Sequence, residues 1–209
     1  MSRQYHLEEL KAALDPNHPS HSLPPPLPAS KRVLDIGCGA GQTLIARYPD
    51  RVSFGIDIDA DALRTGRSLT DRVRFVCGKA ENLPYSNAQF DQVVARVSLA
   101  YTNIGPALKE IRRVLRDDGE LWIALNRFSG SWAQAKAGNW RGWIFFGYVA
   151  LNSILFHLVQ RQFSFFGKYE SFQTVRGISR ALSQSGFGSI SLTRPGPAGR
   201  HFLVTAKRQ

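Results

Sequence analysis

The fold of this chain is set by nine residues, Val33-Leu34-Asp35-Ile36-Gly37-Cys38-Gly39-Ala40-Gly41. The first four form an apolar run of strand length, and three glycines follow at alternate positions. Glycine tolerates the positive φ angles of a tight turn and carries no Cβ that would block a ligand. The pattern therefore predicts a strand, a glycine turn and a helix whose N-terminal N–H groups face a bound ligand.

The spacing of the glycines narrows the choice of ligand. A dinucleotide-binding turn has its third glycine one position later, where this chain has Gln42, and an ATP-binding loop ends in Lys followed by Ser or Thr. Asp57 stands 20 residues after Gly37, at the end of the next apolar run. A carboxylate there can accept hydrogen bonds from both hydroxyls of a ribose. The alternative role is to cap the following helix, which we assign to Asp59.

Apolar runs of strand length alternate with helix-length segments from Lys31 onward. This alternation predicts crossover units and a parallel sheet, and hence an α/β fold. The predicted strands are Arg32–Ile36, Val52–Ile56, Val73–Val76, Phe90–Ala95, Leu121–Leu125, Ser189–Thr193 and Phe202–Ala206. The predicted helices are a short one after Gly41, then Asp59–Ser68, Ile104–Arg116 and Thr174–Ser185.

The chain is predicted to consist of an N-terminal helix with a proline-rich linker and one domain. Residues 1–30 are predicted to form a helix and a linker, because three leucines recur at helical spacing before a stretch with six prolines. Residues 31–209 are predicted to form a single domain, within which 127–173 is an insertion. The first ten residues lack the apolar segment of a secretory signal, so we expect a cytoplasmic protein.

Four blocks of the sequence carry a resemblance to a known family. They are Val33–Gly41, Gly55–Asp59, Gly78–Asp91 and Ala107–Leu121. In this order they resemble the class I S-adenosylmethionine (SAM)-dependent methyltransferases, in particular the ubiquinone and menaquinone biosynthesis group (methyltransferase type 11). The resemblance implies a Rossmann-like, mostly parallel seven-stranded sheet of order 3-2-1-4-5-7-6 with an aromatic helical lid inserted after strand 5. It also implies a methyltransferase with SAM as its cofactor.

The same resemblance implies which residues bind SAM. The three glycines would pass under its methionyl part, Asp35 would face its amino group through water, and Asp57 would hold the ribose. The other implied contacts are Ile58, Ala80 and Glu81 with the adenine and Arg96 and Val97 with the methionine moiety; the three glycines are Gly37, Gly39 and Gly41. Lys79 departs from the family, which usually has an acid there, and its ammonium group cannot accept a hydrogen bond.

Several absent features restrict the methyl acceptor. The fourth strand is followed by Arg96-Val97-Ser98-Leu99-Ala100-Tyr101, without the Asn/Asp-Pro-Pro-aromatic motif of enzymes that methylate nucleobase amino groups. Cys38 and Cys77 both follow strands beside small residues, where we expect them to act as small hydrophobic side chains and not as nucleophiles. The histidines show no metal-ligand spacing, so we expect no metal.

The insertion 127–173 holds 13 of the 23 aromatic residues, and residues 142–160 carry no charge. Such a length would permit a membrane span, but the strands on either side of it must join one sheet. A narrow polar stripe, Asn152, Ser153, His157 and Gln160, predicts an amphipathic helix. It would be either a buried lid over the pocket or an element lying in a membrane interface. An apolar wall beside the methyl donor favours a hydrophobic small-molecule or lipid-like acceptor.

Two residues are candidates for acid–base catalysis: His157 in the polar stripe and Tyr101 after the fourth strand. Two other functions stay open at this point. Residues 127–209 contain 11 Lys and Arg against one acid, Glu170, so an RNA methyltransferase with a basic surface is one alternative. The other is a partner protein that binds SAM without catalysis, because a fold does not fix a function.

Overall fold

A computed structural model describes residues 3–126, 140–165, 167–193 and 201–209 of the chain. The strands are β1 Val33–Ile36, β2 Ser53–Asp57, β3 Val73–Cys77, β4 Phe90–Arg96, β5 Leu115–Asn126, β6 Phe187–Thr193 and β7 His201–Arg208. The helices are α1 Arg3–Leu14, α2 Gln42–Arg47, α3 Ala60–Leu69, α4 Ile104–Val114, α5 Trp140–Val159 and α6 Val175–Gln184. A 3₁₀ turn, Leu99–Tyr101, follows β4.

The strands form one seven-stranded sheet of order β3-β2-β1-β4-β5-β7-β6, which confirms the predicted fold class. Strands β1 to β5 are parallel, and β7 runs antiparallel to both β5 and β6. The chain moves outward from β1 to β3 on one side and continues at β4 on the other. The carboxyl ends of β1 and β4 therefore flank the switch point, where ligands of such sheets bind.

Helices cover both faces of the sheet. On one face α4, α6 and Phe156 of α5 pack into a core with β-strand residues such as Phe90 and Leu121. On the other face Leu44 of α2 and Leu63 of α3 pack with Trp122. The prolines of the linker do not leave it free: Arg47 donates a hydrogen bond to the carbonyl of Pro24 at 2.7 Å, so the linker lies against the domain.

One predicted boundary is wrong. The helix predicted to end at Arg116 ends at Val114, because Leu115 already has extended backbone angles and pairs with Phe90. Strand β5 thus begins six residues before the predicted Leu121, and its pairing with β4 shifts register between Phe90 and Gln92. Asp118, in this irregular part of β5, has a positive φ of 60°. The hydrophobic periodicity of a sequence does not reveal such irregularities in a strand.

Candidate cofactor site and its acceptor side

The glycine turn requires glycine for steric reasons. Gly37, Gly39 and Gly41 have φ values of 66°, 55° and 83°. A Cβ on Gly37 would lie 2.3 Å from Cβ of Ser98, which itself follows β4. The N–H of Gly37 donates to the carbonyl of Ile56 at 2.8 Å, so the turn is fastened to β2. The turn therefore brings bare backbone to the switch point of the sheet.

Asp59 caps α3, as predicted, and this leaves Asp57 free of that role. The carboxylate of Asp59 accepts from the N–H groups of Asp61 and Ala62, at 3.0 and 3.2 Å, and caps α3. The carboxylate of Asp57 accepts from the N–H of Gly39 at 2.7 Å with one oxygen and from the N–H of Asp59 at 2.9 Å with the other. Each oxygen keeps a second lone pair, which is what two ribose hydroxyls require.

Asp35 is a buried carboxyl group with an oxygen to spare. Its residue is 2% exposed, and its Oδ1 has no hydrogen-bond partner among the described residues. Burial raises the pKa of Asp35 to about 7, while the positive charge of Arg96 acts in the opposite direction. A carboxyl group in this state fits the cationic amino group of the methionyl part of SAM, which would supply both a charge and a donor.

Arg96 ends β4 and Val97 follows it, and Arg96 is close enough to Asp35 for its charge to affect that carboxyl group. The guanidinium of Arg96 donates to the Thr43 hydroxyl at 3.1 Å and forms an ion pair with Glu9 of α1 at 3.3 Å. Val97 has a φ of 63°, an uncommon conformation for a β-branched residue. Strain of this kind is typical of functional positions that the surrounding structure holds in place.

On the adenine side the predicted residues differ in their surroundings. Ile58 is 72% exposed, an unusual state for isoleucine that a stacked adenine would relieve, whereas Ala80 is buried. Glu81 accepts a hydrogen bond from the N–H of Asn103 at 2.7 Å, and this contact holds the start of α4. Lys79 is exposed, so the departure from the family pattern falls on a solvent-facing side chain.

The prediction for the two cysteines is half right. Cys38 is buried in the core beside Leu44, as expected for a small hydrophobic residue. Cys77 is exposed, because it ends β3, the outermost strand on that side of the sheet.

Sequence reasoning missed His6, which is 3% exposed and lies over the glycine turn. The amide nitrogen of Gln42 is 3.1 Å from Nδ1 of His6 and 3.4 Å from its carbonyl oxygen. A Cβ on Gly39 would be 3.7 Å from the His6 ring. Helix α1 therefore covers the glycine turn, and no local pattern in the sequence indicates this contact between distant segments.

Tyr101 lies on the acceptor side, within the electrostatic influence of Glu170. The segment after α5 returns across the loop that follows β4: Ser171 N–H donates to the carbonyl of Ala100 at 3.1 Å, and Gln162 accepts from the N–H of Ile104 at 2.9 Å. Burial and the charge of Glu170 raise the pKa of Tyr101, and burial raises the pKa of Glu170. Tyr101 is 54% exposed and is thus accessible to an acceptor.

His157 lies at a different place. Its Nδ1 is 2.6 Å from the hydroxyl of Thr174, and that hydroxyl caps α6 by accepting from the N–H of Gly177 at 3.0 Å. Among the described residues, His157 contacts this helix cap and makes no hydrogen bond with Tyr101. An apolar cavity of about 170 Å³ adjoins Thr174 and is lined by β5, β6, β7 and α6 residues including Leu125, Ile178 and Phe202. Catalysis by His157 therefore stays a prediction.

Helix α5 is only partly buried: Tyr148, Val149 and Phe156 face the protein, whereas other large apolar side chains of the helix are exposed. The window Gly142–Val159 has a mean hydropathy of 1.6, yet only 22% of it is buried. By length and composition this segment could cross a membrane. Within the ranges the structure describes, no group of three His, Cys, Asp or Glu residues is arranged to hold a metal ion.

Comparison with known proteins agrees with this geometry. Residues 33–119 match the family described as "Methyltransferase domain". An uncharacterized methyltransferase YcgJ of Bacillus subtilis is 35% identical over 102 residues, 46% of this chain and 40% of that protein. A demethylmenaquinone methyltransferase of Roseiflexus sp. is 35% identical over 95 residues, 43% of this chain and 40% of that protein. A phthiotriol/phenolphthiotriol dimycocerosates methyltransferase of Mycobacterium leprae is 33% identical over 118 residues, 54% and 42% of the two chains.

These matches span less than half the length of the curated relatives. A similarity in fold extends further: a SAM-dependent methyltransferase of Thermotoga maritima, described as a possible histamine N-methyltransferase, superposes with a TM-score of 0.61. That superposition covers 99% of this chain and 90% of the other at 17% sequence identity, which shows the fold alone. Residues 33–119 therefore match a methyltransferase domain, and the sheet has the strand order expected of the class I SAM-dependent methyltransferases.

Proposed function

We propose that the protein transfers the methyl group of SAM to a hydrophobic small-molecule or lipid-like acceptor. The observation that carries this proposal is the exposed apolar side of α5. The helix continues directly into the return segment, the part of the chain after α5 whose Gln162 and Ser171 contact the loop that contains Tyr101. An acceptor that partitions into an apolar surface would reach the methyl-transfer edge along this segment. Relatives named for demethylmenaquinone and for dimycocerosates methylation support the same class of acceptor.

The residues of the chain would divide the work as follows. SAM supplies an electrophilic methyl group on its sulfonium. Asp35 binds the amino group, Asp57 binds the ribose, and Ile58 covers the adenine, which together fix the direction of the methyl group. Helix α1 excludes water from above the glycine turn through His6.

On the acceptor side we assign contact with the substrate to Tyr101. Its hydroxyl can orient an acceptor oxygen, and the half-buried Glu170 beside it can take up a proton if the acceptor releases one. His157 has only Nε2 available for such a role, because Nδ1 is engaged with Thr174.

The test is incubation of the full chain with methyl-labelled SAM and a cell extract, followed by separation of an organic phase from isolated RNA. Label in the organic phase supports the proposal, and an Asp57→Ala variant should abolish it. Label in RNA would favour the basic surface as the acceptor site. SAM binding without formation of S-adenosylhomocysteine from any fraction would identify a partner protein without catalytic activity.

A further inference from the structure

The exposed side of α5 is a continuous apolar stripe. Six large side chains on it are 48% to 66% exposed. Their spacing of 3, 4, 11, 14 and 18 residues from the first places them on one side of a helix of 3.6 residues per turn. They are Trp140, Trp143, Ile144, Leu151, Ile154 and Leu158. The stripe runs the full length of the helix, which is about 30 Å for 20 residues.

The polar residues of α5 face the protein, together with the buried Tyr148, Val149 and Phe156. Asn152 is 0% exposed, and its amide nitrogen donates to the carbonyls of Phe163 and Glu170, at 3.0 and 3.1 Å. Its amide oxygen accepts from the N–H of Phe163 at 2.9 Å. Ser153 accepts from the N–H of Phe172 at 2.8 Å. These bonds fix the rotation of the helix about its own axis, so the apolar stripe cannot turn inward while they persist.

Apolar side chains therefore lie on both the inward and the outward side of α5, whereas an ordinary surface helix turns polar side chains toward water. Contiguous apolar surface of this extent on a soluble protein indicates a site of interaction. Aromatic residues at one end, here Trp140 and Trp143, are typical of elements that lie at the boundary between lipid headgroups and acyl chains.

A transmembrane orientation of α5 conflicts with the sheet. Strand β5 precedes the helix and β7 follows it, and the two pair from Glu120 with Lys207 to Asn126 with His201. A single crossing would separate strands that are hydrogen-bonded to each other. The helix is therefore oriented along a surface and not through it.

The positive charges around α5 favour binding to an anionic surface. Arg161, Lys168, Arg176 and Arg180 are exposed after or beside its C-terminal half. The guanidinium of Arg180 donates to the carbonyl of Leu158 at 3.1 Å, which ties this cation to the end of the stripe. Glu170 is the only acid in residues 127–209, so the cations dominate. Anionic lipid headgroups attract such a cluster.

We infer that α5 docks the protein on the surface of an anionic phospholipid bilayer, with its apolar stripe at the boundary of headgroups and acyl chains. The inference deepens the proposed function and rests on it for one point, that the acceptor is drawn from the bilayer. Docking itself requires only the stripe and the neighbouring cations.

The experiment is flotation of the full chain with vesicles of phosphatidylcholine alone or with phosphatidylglycerol added. We expect binding to the anionic vesicles, at least tenfold weaker binding to the neutral ones, and loss of binding as salt rises. The double variant Ile144→Glu, Leu151→Glu should lower binding at least tenfold. Val52→Glu is the matched control, because Val52 is 47% exposed but precedes β2, next to the edge strand β3. It should bind as the unaltered chain does.

A second measurement uses the unaltered chain and avoids variants that fail to fold. Brominated lipids in anionic vesicles should quench the fluorescence of Trp140 and Trp143 at the stripe. Absence of both flotation and quenching would overturn the inference, as would a dimer that Ile144→Glu dissociates while vesicles have no effect. Label in the organic phase without vesicle binding would overturn docking and leave the proposed function standing. Vesicle binding without any lipid-soluble methylated product would support docking and overturn the proposed function.

Discussion

The carboxylate of Asp57 joins the two halves of the cofactor site, since it accepts from the N–H of Gly39 at 2.7 Å while its other oxygen accepts from the N–H of Asp59. Asp57 thus holds the glycine turn against the end of β2, at the position where the ribose of SAM is expected. One side chain therefore holds the glycine turn in place and is also the residue from which we expect hydrogen bonds to the ribose.

Replacement of Asp57 by alanine should weaken SAM binding by roughly 10- to 100-fold, since hydrogen bonds to a charged group contribute about 1.5–3 kcal/mol. Titration calorimetry with the full chain measures this. Asp59→Ala is the matched control: loss of the α3 cap should cost about 1 kcal/mol of folding stability with a much smaller effect on binding. Equal loss of affinity in both variants would contradict the assignment of the ribose to Asp57.

A methyl group at Gly37 should be far more damaging than one at Gly105. The first would lie 2.3 Å from Cβ of Ser98 on a backbone with φ of 66°, whereas a Cβ on Gly105 in α4 meets no atom within 4 Å. We expect Gly37→Ala to lower the melting temperature and abolish SAM binding. Gly105→Ala should leave the protein unchanged or more stable by up to about 1 kcal/mol. Thermal denaturation of the two variants checks this, and similar melting temperatures would contradict it.

The parts of the fold that depend on local pattern were predictable. The role of Asp59 as a helix cap follows from its place before α3, and the strand order follows from a sequence of motifs tied to one sheet topology. The same holds for the glycine turn, where alternate glycines and a preceding apolar run have few other structural solutions.

The orientation of α5 was not predictable by the same means. A polar stripe and an apolar stripe on one helix do not state which of them faces the protein. The usual answer failed here because Asn152 and Ser153 bind the backbone of the return segment, whose course is known only in three dimensions. His6 was missed for a related reason, since its partner Gln42 lies 36 residues further along the chain.

SAM affinity should rise with pH below neutrality. Burial raises the pKa of Asp35 from its ordinary 3.8 to about 7, so about a tenth of the group is ionised at pH 6 and about half at pH 7. A cationic amino group binds the ionised form, and affinity should therefore increase about fivefold over this interval. Calorimetry at the two pH values tests it, with Asp35→Asn expected to bind weakly and independently of pH. A flat profile for the unaltered chain would contradict the contact.

Ionisation of Asp35 has the opposite effect on the folding stability of the ligand-free protein. Because the folded state holds the proton of Asp35 more tightly than the unfolded chain does, stability should fall as the pH rises from about 4 to about 7. Urea denaturation without SAM measures this, and Asp35→Asn should remove the decline.

Variants of Tyr101 and His157 should differ in their effects: one should lower turnover and the other should lower stability. We expect Tyr101→Phe to lower kcat at an unchanged melting temperature, because Tyr101 is exposed and we assign to its hydroxyl the contact with the acceptor. We expect His157→Ala to lower the melting temperature, because it loses the contact with the Thr174 cap. A loss of kcat in His157→Ala without a change in stability would instead establish the histidine as an acid–base catalyst.

Helix α1 should detach from the cofactor site in acid. The amide nitrogen of Gln42 that contacts the carbonyl of His6 must also donate to Nδ1, which leaves the ring neutral with its proton on Nε2. Burial lowers the pKa of His6 below 6.5, so its contribution to stability is present above that value and is lost as the pH falls through the lowered pKa.

Hydrogen exchange of the α1 amides measures this release directly. Exchange in residues 3–14 should accelerate as the pH is lowered, after correction for the intrinsic rate, while α4 stays protected. His6→Gln keeps a polar side chain without a titrating ring and should exchange at a rate that no longer depends on pH. Bound SAM should slow exchange in α1 if the helix covers the cofactor, and an unchanged rate with SAM bound would show that α1 lies outside the ligand site.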